Sequence, residues 1–391
     1  MPIRLNMRTI VIITVFLFIA FIACSEEHYS FKTPEECSLA KWNTLVDTFQ
    51  SNPLEYQLQL RECKVGNEPR TKGMMWGVNL QNIADSVGVN SSSFNRLATL
   101  ICKSKQYEPI SREALHKDLR TFVTDFNIDL NRAELCKYTT TQEECFSKFK
   151  TMDEFFSRDI NRDILRTKIS ELKSLGVNGD NTILSPADSY CMIFPTEDIA
   201  KQIWIKGNQF SVMTMIGNQT LYRDAPGVSI VINRLAPGHY HKFHCPISGE
   251  ITTITRLGSN YLSVQPAIVQ HQNVYTENVR VVCQIKTKQF GTVSMVIVGA
   301  SCVGSVRLDG ISSLHTIYSD MVYQNEMVRE LEQPISVKSG QLLGSFHYGG
   351  STVVLVIPIT DKKYQYNPYI LSASQKGIET EIPVLEPLLQ L

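Results

Sequence analysis

The sequence has no surplus of either charge, no Cys-x-x-Cys pair, no Gly-x-Ser-x-Gly elbow, no internal repeat and no low-complexity tract. With 38 basic against 38 acidic side chains, it lacks the basic excess that general nucleic-acid binding needs. The same balance leaves no net charge to steer the whole chain onto an anionic membrane. Cysteines without ribbon spacing argue against a structural zinc site. Regular alternation of strand and helix patterns is missing too, which argues against a doubly wound parallel sheet. Beyond residue 24 no apolar run approaches the ~20 residues that cross a bilayer.

What is present begins at the N-terminus. Arg4 and Arg8 precede an apolar run from Thr9 to Cys24, and polar Ser25, Glu26 and Glu27 follow at once. That order predicts a secretory signal peptide over residues 1–24. The same run would fit a tight signal anchor, and lipid attachment at Cys24 is a third reading. Ten cysteines, five of them between positions 37 and 145, read as disulfides of an oxidising compartment rather than metal ligands. Asn90-Ser-Ser and Asn218-Gln-Thr are glycosylation sequons. Together these features predict the secretory pathway, either secreted or in or on an endomembrane.

Residues 25–145 read as a helical accessory region. Ser91–Cys102 and Ser111–Phe126 each open on capping residues and continue with apolar positions at helical spacing, the second with Leu115, Leu119, Phe122 and Val123 on one face. From about Thr182 the texture changes to β-branched runs between Gly, Pro and Asn: Val228–Asn233, Val293–Val298 and Thr352–Ile357. These predict buried or half-buried strands. The expected fold is α+β, with an N-terminal helical region followed by a β-rich core over residues 146–391.

Several short motifs follow one another in this core. They are Phe155-Phe156-Ser-Arg158, Ser185-Pro186-Ala187-Asp188, Lys206-Gly207, Arg234-Leu-Ala-Pro237, Tyr240-His241-Lys242-Phe243-His244, Val298-Gly299-Ala300 with Val303-Gly304-Ser305, and Gly349-Gly350-Ser351-Thr352. In that order they resemble the phosphatidylserine decarboxylase family, over roughly residues 155–385. Ser189, His239 and Lys242 depart from the family's usual Gly, Asp and Arg.

The resemblance implies a proenzyme that cuts itself between Gly350 and Ser351, with Ser351 becoming a covalent pyruvoyl group. It implies Asp188, His244 and Ser351 as the self-cleavage triad and His241 as the proton donor in decarboxylation. The chemistry suits those residue types. Ser351 carries its hydroxyl on the very peptide it attacks, so the step is intramolecular. Gly350 has no Cβ and tolerates a strained turn. A neutral imidazole can take the hydroxyl proton, and a carboxylate can hold that imidazole's tautomer. The implied substrate is phosphatidylserine or another amine-bearing carboxylate, met at a membrane surface, and the two chains of the cut protein are expected to stay associated.

Other readings of the same residues exist. Asp188, His244 and Ser351 in that order would also suit a secreted serine hydrolase, but no nucleophile elbow surrounds Ser351. A decarboxylase of free aromatic amino acids would share the pyruvoyl chemistry. His239, His241 and His244 could form a metal cluster, although Cys245 and Pro246 stand where a cupin-like site wants a carboxylate. No metal is expected. His271, His315 and His347 show no partner pattern and read as surface or core histidines.

Overall fold

The computed structural model describes residues 111–205, 210–264, 266–269, 272–300, 305–319, 327–347 and 351–391. The predicted leader, the stretch Ser91–Cys102, the Asn90 sequon, Lys206–Gly207, Val303–Gly304, Gly349–Gly350 and His271 lie outside the described residues.

Ser111 opens helix α1 (Arg112–Asp125): its extended backbone turns the Oγ onto the amide of Ala114 at 3.2 Å. Leu115, Leu119 and Val123 are buried at the predicted spacing of four. A 3-10 turn follows at Leu130–Arg132, then α2 (Gln142–Phe146) and α3 (Met152–Phe156). Thr141 caps α2, and Thr151 caps α3 through the amide of Glu154 at 3.1 Å. A disulfide joins Cys136 to Cys145. Leu119, Phe146, Phe149 and Phe155 close these short helices into one apolar cluster. Helix α4 (Arg162–Ser174) is largely exposed and leads into the core.

The core contains fourteen named strands among the described residues. They are β1 (Thr182–Leu184), β2 (Ser189–Phe194), β3 (Val228–Leu235), β4 (Lys242–His244), β5 (Gly249–Leu257), β6 (Arg280–Lys286) and β7 (Thr292–Gly299). Next come β8 (Ser305–Arg307), β9 (Met327–Val337), β10 (Leu342–His347), β11 (Ser351–Pro358), β12 (Gln365–Tyr366), β13 (Thr380–Ile382) and β14 (Pro387–Gln390). Helices α5 (Glu197–Ile203), α6 (Val212–Ile216), α7 (Pro266–Val269), α8 (Val274–Glu277), α9 (Ser312–Ser319) and α10 (Pro368–Gln375) lie between them.

Eight strands form one sheet in the order β13-β2-β3-β11-β7-β6-β5-β9, and two three-stranded sheets have the orders β1-β14-β12 and β4-β10-β8. The ladders are antiparallel. Both faces of the large sheet are covered. Ile230, Ile232, Val354 and Val356 pack into one cluster, while Val231, Leu235, Val353, Leu355 and Ile357 pack into the other. Two-sided burial explains the continuous apolar runs. A strand covered on both faces has no solvent side to mark with alternating polar residues. Each Val, Leu or Ile so buried contributes roughly 1.5–3 kcal/mol of transfer free energy.

Candidate active site

Strand β3 ends at Leu235, a turn over Ala236–Tyr240 reverses the chain, and β4 begins at Lys242. The turn is tied from below by Arg158. This guanidinium donates to the carbonyls of Gly238 at 2.8 Å, His239 at 3.4 Å and Phe155 at 3.2 Å. The Arg158 pKa falls to about 10, chiefly through burial, with Asp188 opposing the fall and Arg132 adding to it. His239 takes the amide proton of Ala236 on its Nδ1 at 3.0 Å, which closes the turn from within.

His241 is fully buried, and its ring stacks on Phe156 with centroids 3.8 Å apart. Its Nε2 lies 2.9 Å from the carbonyl oxygen of Ala236. A carbonyl can only accept, so Nε2 carries the proton and the Nδ1 lone pair is free. That Nδ1 lies 3.4 Å from Ser351 Oγ. Burial holds the His241 pKa well below the ordinary 6.5, and the charge of Arg158 adds to the effect. The imidazole is therefore neutral and presents a base to a hydroxyl.

Ser351 is the first residue of β11 and is fully buried. It is opposite Leu235 of β3 on one side and Gly299 of β7 on the other. The ladders thus fix its backbone just where the chain leaves the sheet.

His244 is held differently. Its Nδ1–H donates to the carbonyl of Gly340 at 2.8 Å, and its Nε2 accepts from the Tyr240 hydroxyl at 3.0 Å. Gly340 can offer that carbonyl because it turns with φ +79°, where other residues are strained. Burial lowers the His244 pKa, with the nearby Asp188 charge among the opposing influences. Burial pushes the Tyr240 phenol well above its ordinary value, so the proton stays on its oxygen.

Asp188 sits at the mouth of β2. One carboxylate oxygen accepts from Arg132 Nη2 at 2.6 Å and the other from the amide of Val384 at 2.8 Å. The Ser185–Asp188 segment reaches β4 through the His244 amide, which donates to Pro186 O at 2.7 Å. Asp188 makes no hydrogen bond to either histidine. Of the predicted site residues, the fold brings His241 directly to Ser351, with His244 at the end of β4 and Asp188 near it.

A cleft of about 550 Å³ opens next to this cluster, lined among others by Arg132, Arg158, Asp188, His239, Tyr240 and Glu381. Ser351, His241 and His244 are not on its wall. His239, His241 and His244 each face a different partner, and among the described residues no three metal-ligating side chains gather. His239 approaches Glu381 at 3.6 Å, and the proximity of this imidazole draws the Glu381 pKa down.

The family model for phosphatidylserine decarboxylase matches residues 154–376, more than half of the chain. The chain belongs to the phosphatidylserine decarboxylase family. It is 31 % identical over 284 residues to phosphatidylserine decarboxylase proenzyme 2 of Saccharomyces cerevisiae, covering 72 % of this chain and 21 % of that protein. It is 30 % identical over 283 residues to the proenzyme 2 of Oryza sativa subsp. japonica, covering 72 % of this chain and 39 % of that protein. Against the phosphatidylserine decarboxylase proenzyme of Clostridium tetani it is 28 % identical over 299 residues, covering 75 % and 86 %. The chain thus spans about a fifth of the yeast relative and most of the clostridial one.

Arg132 lies upstream of the family-matched segment and had no spacing signal, because its partner Asp188 is 56 positions away. Tyr240 was visible in the Tyr-His motif, but nothing in that motif predicted its bond to His244. The Gly340 carbonyl carries no sequence signal at all.

Proposed function

We propose that this chain is a self-cleaving, pyruvoyl-dependent carboxy-lyase acting on phosphatidylserine, with Asp188, His241, His244 and Ser351 as its working residues. The observation that carries the reading is the 3.4 Å approach of Ser351 Oγ to the unprotonated Nδ1 of His241. Ser351 suits the origin of a pyruvoyl group: its hydroxyl faces a neutral base in a site closed to solvent.

His241 Nδ1 takes the Oγ proton as Ser351 Oγ attacks the Gly350 carbonyl carbon. The new C–O bond replaces the C–N bond of the peptide, and the freed nitrogen takes a proton. Loss of the Cα proton then expels the Gly350 carboxylate. The dehydroalanine left behind hydrolyses to the pyruvoyl group with release of ammonia. When formed, that group supplies a ketone that captures the substrate amine and takes up the electrons released as CO₂ leaves. His241 remains beside the reacting carbon to return a proton, a general-acid contribution of roughly 10²–10⁴ in rate.

The family resemblance divides the labour otherwise, giving His244 the base role and His241 only the later proton transfer. Two alanine variants separate these assignments. If His241 is the base, His241→Ala stays uncut and His244→Ala is cut more slowly. If His244 is the base, His244→Ala stays uncut while His241→Ala is cut and releases little CO₂. Intact-mass spectra read both, and uncut, fully active wild type would sink self-cleavage altogether.

The relatives' names favour phosphatidylserine as substrate. The cleft supports it with side chains of both charge signs on its wall, Arg132 and Glu381 among them. Labelled phosphatidylserine in vesicles should release CO₂, and free serine and tryptophan should not. The same reading keeps the two chains together after the cut, brings the protein to a membrane surface, and routes it through the secretory pathway as the leader and the Cys136–Cys145 bond suggest.

A further inference from the structure

One buried polar cluster lies outside this machinery. Asp153 Oδ2 lies 2.7 Å from His347 Nδ1, with both side chains at most 10 % exposed. The other ring nitrogen of His347 lies 3.3 Å from Ser345 Oγ, which itself donates to Asp309 at 2.9 Å. Asp153 Oδ1 is buried with no hydrogen-bond partner. Buried carboxylate oxygens are ordinarily satisfied, so packing alone gives no reason for a carboxylate here.

Its position in the chain does. His347 is the last residue of β10, and Ser351 is the first of β11. Four Cα steps separate them, at most about 14 Å of extended chain. Asp153 belongs to α3, and three positions further along that helix Phe156 stacks on His241, the ring that contacts Ser351. Residues three apart on a helix share a face. One five-residue helix therefore contacts His347, where the bridge begins, through Asp153, and His241, which faces Ser351 where the bridge ends, through Phe156.

We propose that Asp153 and His347 are a positioning pair for self-cleavage. The pair holds His347, from which the chain runs on to the scissile bond, while the β3 and β7 ladders hold Ser351. This inference rests on the proposed cut between Gly350 and Ser351. Freedom lost in advance is a large part of what makes an intramolecular attack fast, and small misplacement is costly.

The test follows the cut of full-length precursor during cell-free synthesis, by gel and intact mass. Asp153→Ala and His347→Ala should slow cutting by about 10-fold or more. At position 347 two amides of the same chemistry discriminate by reach. His347→Asn places a donor near the Nδ1 position and should cut within about 3-fold of wild type. His347→Gln places its donor further out and should remain slow. Molecules that do mature should release CO₂ from phosphatidylserine at the wild-type rate per pyruvoyl group, because the pair touches no substrate. Thermal melts in a Ser351→Ala background identify variants that are folded at the assay temperature. If the alanine variants are not, the Asn and Gln pair at 347 carries the test. Folded Asp153→Ala or His347→Gln precursor cutting at the wild-type rate overturns the inference with self-cleavage intact. Wild type that never cuts overturns both.

Discussion

Removing the carboxylate of Glu379 should unfold the core more readily than any surface change. Arg234 Nε and Nη2 reach the two oxygens of Glu379 at 2.8 and 2.6 Å, and the side chains are 4 % and 1 % exposed. The guanidinium also lies 4.9 Å from the Tyr190 ring centroid. In Glu379→Ala, the buried Arg234 loses both of its charge-assisted hydrogen bonds to the carboxylate. Two charge-assisted hydrogen bonds at roughly 1.5–3 kcal/mol each give a loss of roughly 3–6 kcal/mol. Breaking one side of a buried pair typically costs about 3–5 kcal/mol, which agrees. At roughly 2–4 °C per kcal/mol, the melting midpoint should fall by about 6–24 °C. Glu379→Gln keeps one of the two bonds and should fall between. The double variant Arg234→Met/Glu379→Leu removes both charges and should recover most of the loss. Urea unfolding of uncut Ser351→Ala precursor measures all three. A single-variant loss under about 1 kcal/mol, or a double variant no better than Glu379→Ala, would refute the reasoning.

Burial holds His241 and His244 below the ordinary 6.5, so self-cleavage should run at a constant rate from pH 8 down to 6.5 and decline only below that. A decline centred above pH 6.5 in a quench-flow series would contradict it. The same two shifts make the fold less stable as pH drops from 6.5 through the lowered pKa values, because the unfolded chain binds protons that the buried rings refuse. Acid titration of the melting midpoint should show that slope. Reducing Cys136–Cys145, which are 9 residues apart, should cost about 2–3 kcal/mol by chain entropy. A protease nick near residues 133–150 would appear with reductant and not without it, and identical digestion patterns would show that the bond contributes nothing.

The strands were readable because two-sided burial writes itself as an unbroken apolar run, as in Val353–Ile357. Their direction was not. Such runs suit parallel and antiparallel ladders alike, and only the pairing of β11 with β3 and β7 settles it. Helix α1 was readable from its cap and its spacing of four. Ser351 and His241 were both named from motifs, yet their mutual contact crosses 110 positions and no local period encodes it. His347 read as an unpartnered histidine because Asp153 lies 194 positions away on another element. The Val384 amide on Asp188 is a backbone donor, and side-chain identity could not reveal it.

Strand β11 lies in the interior of the eight-stranded sheet, with eight register pairs to β3 and six to β7. A peptide beginning at Ser351 could enter that slot only if two already closed neighbours parted along their whole length. The proposed cut therefore has a fixed place in the order, after folding. A separately made segment 351–391 offered to a folded remainder would find no vacancy. Under the proposed self-cleavage each molecule makes its own reactive group from its own chain, and a defective neighbour can neither donate one nor receive one.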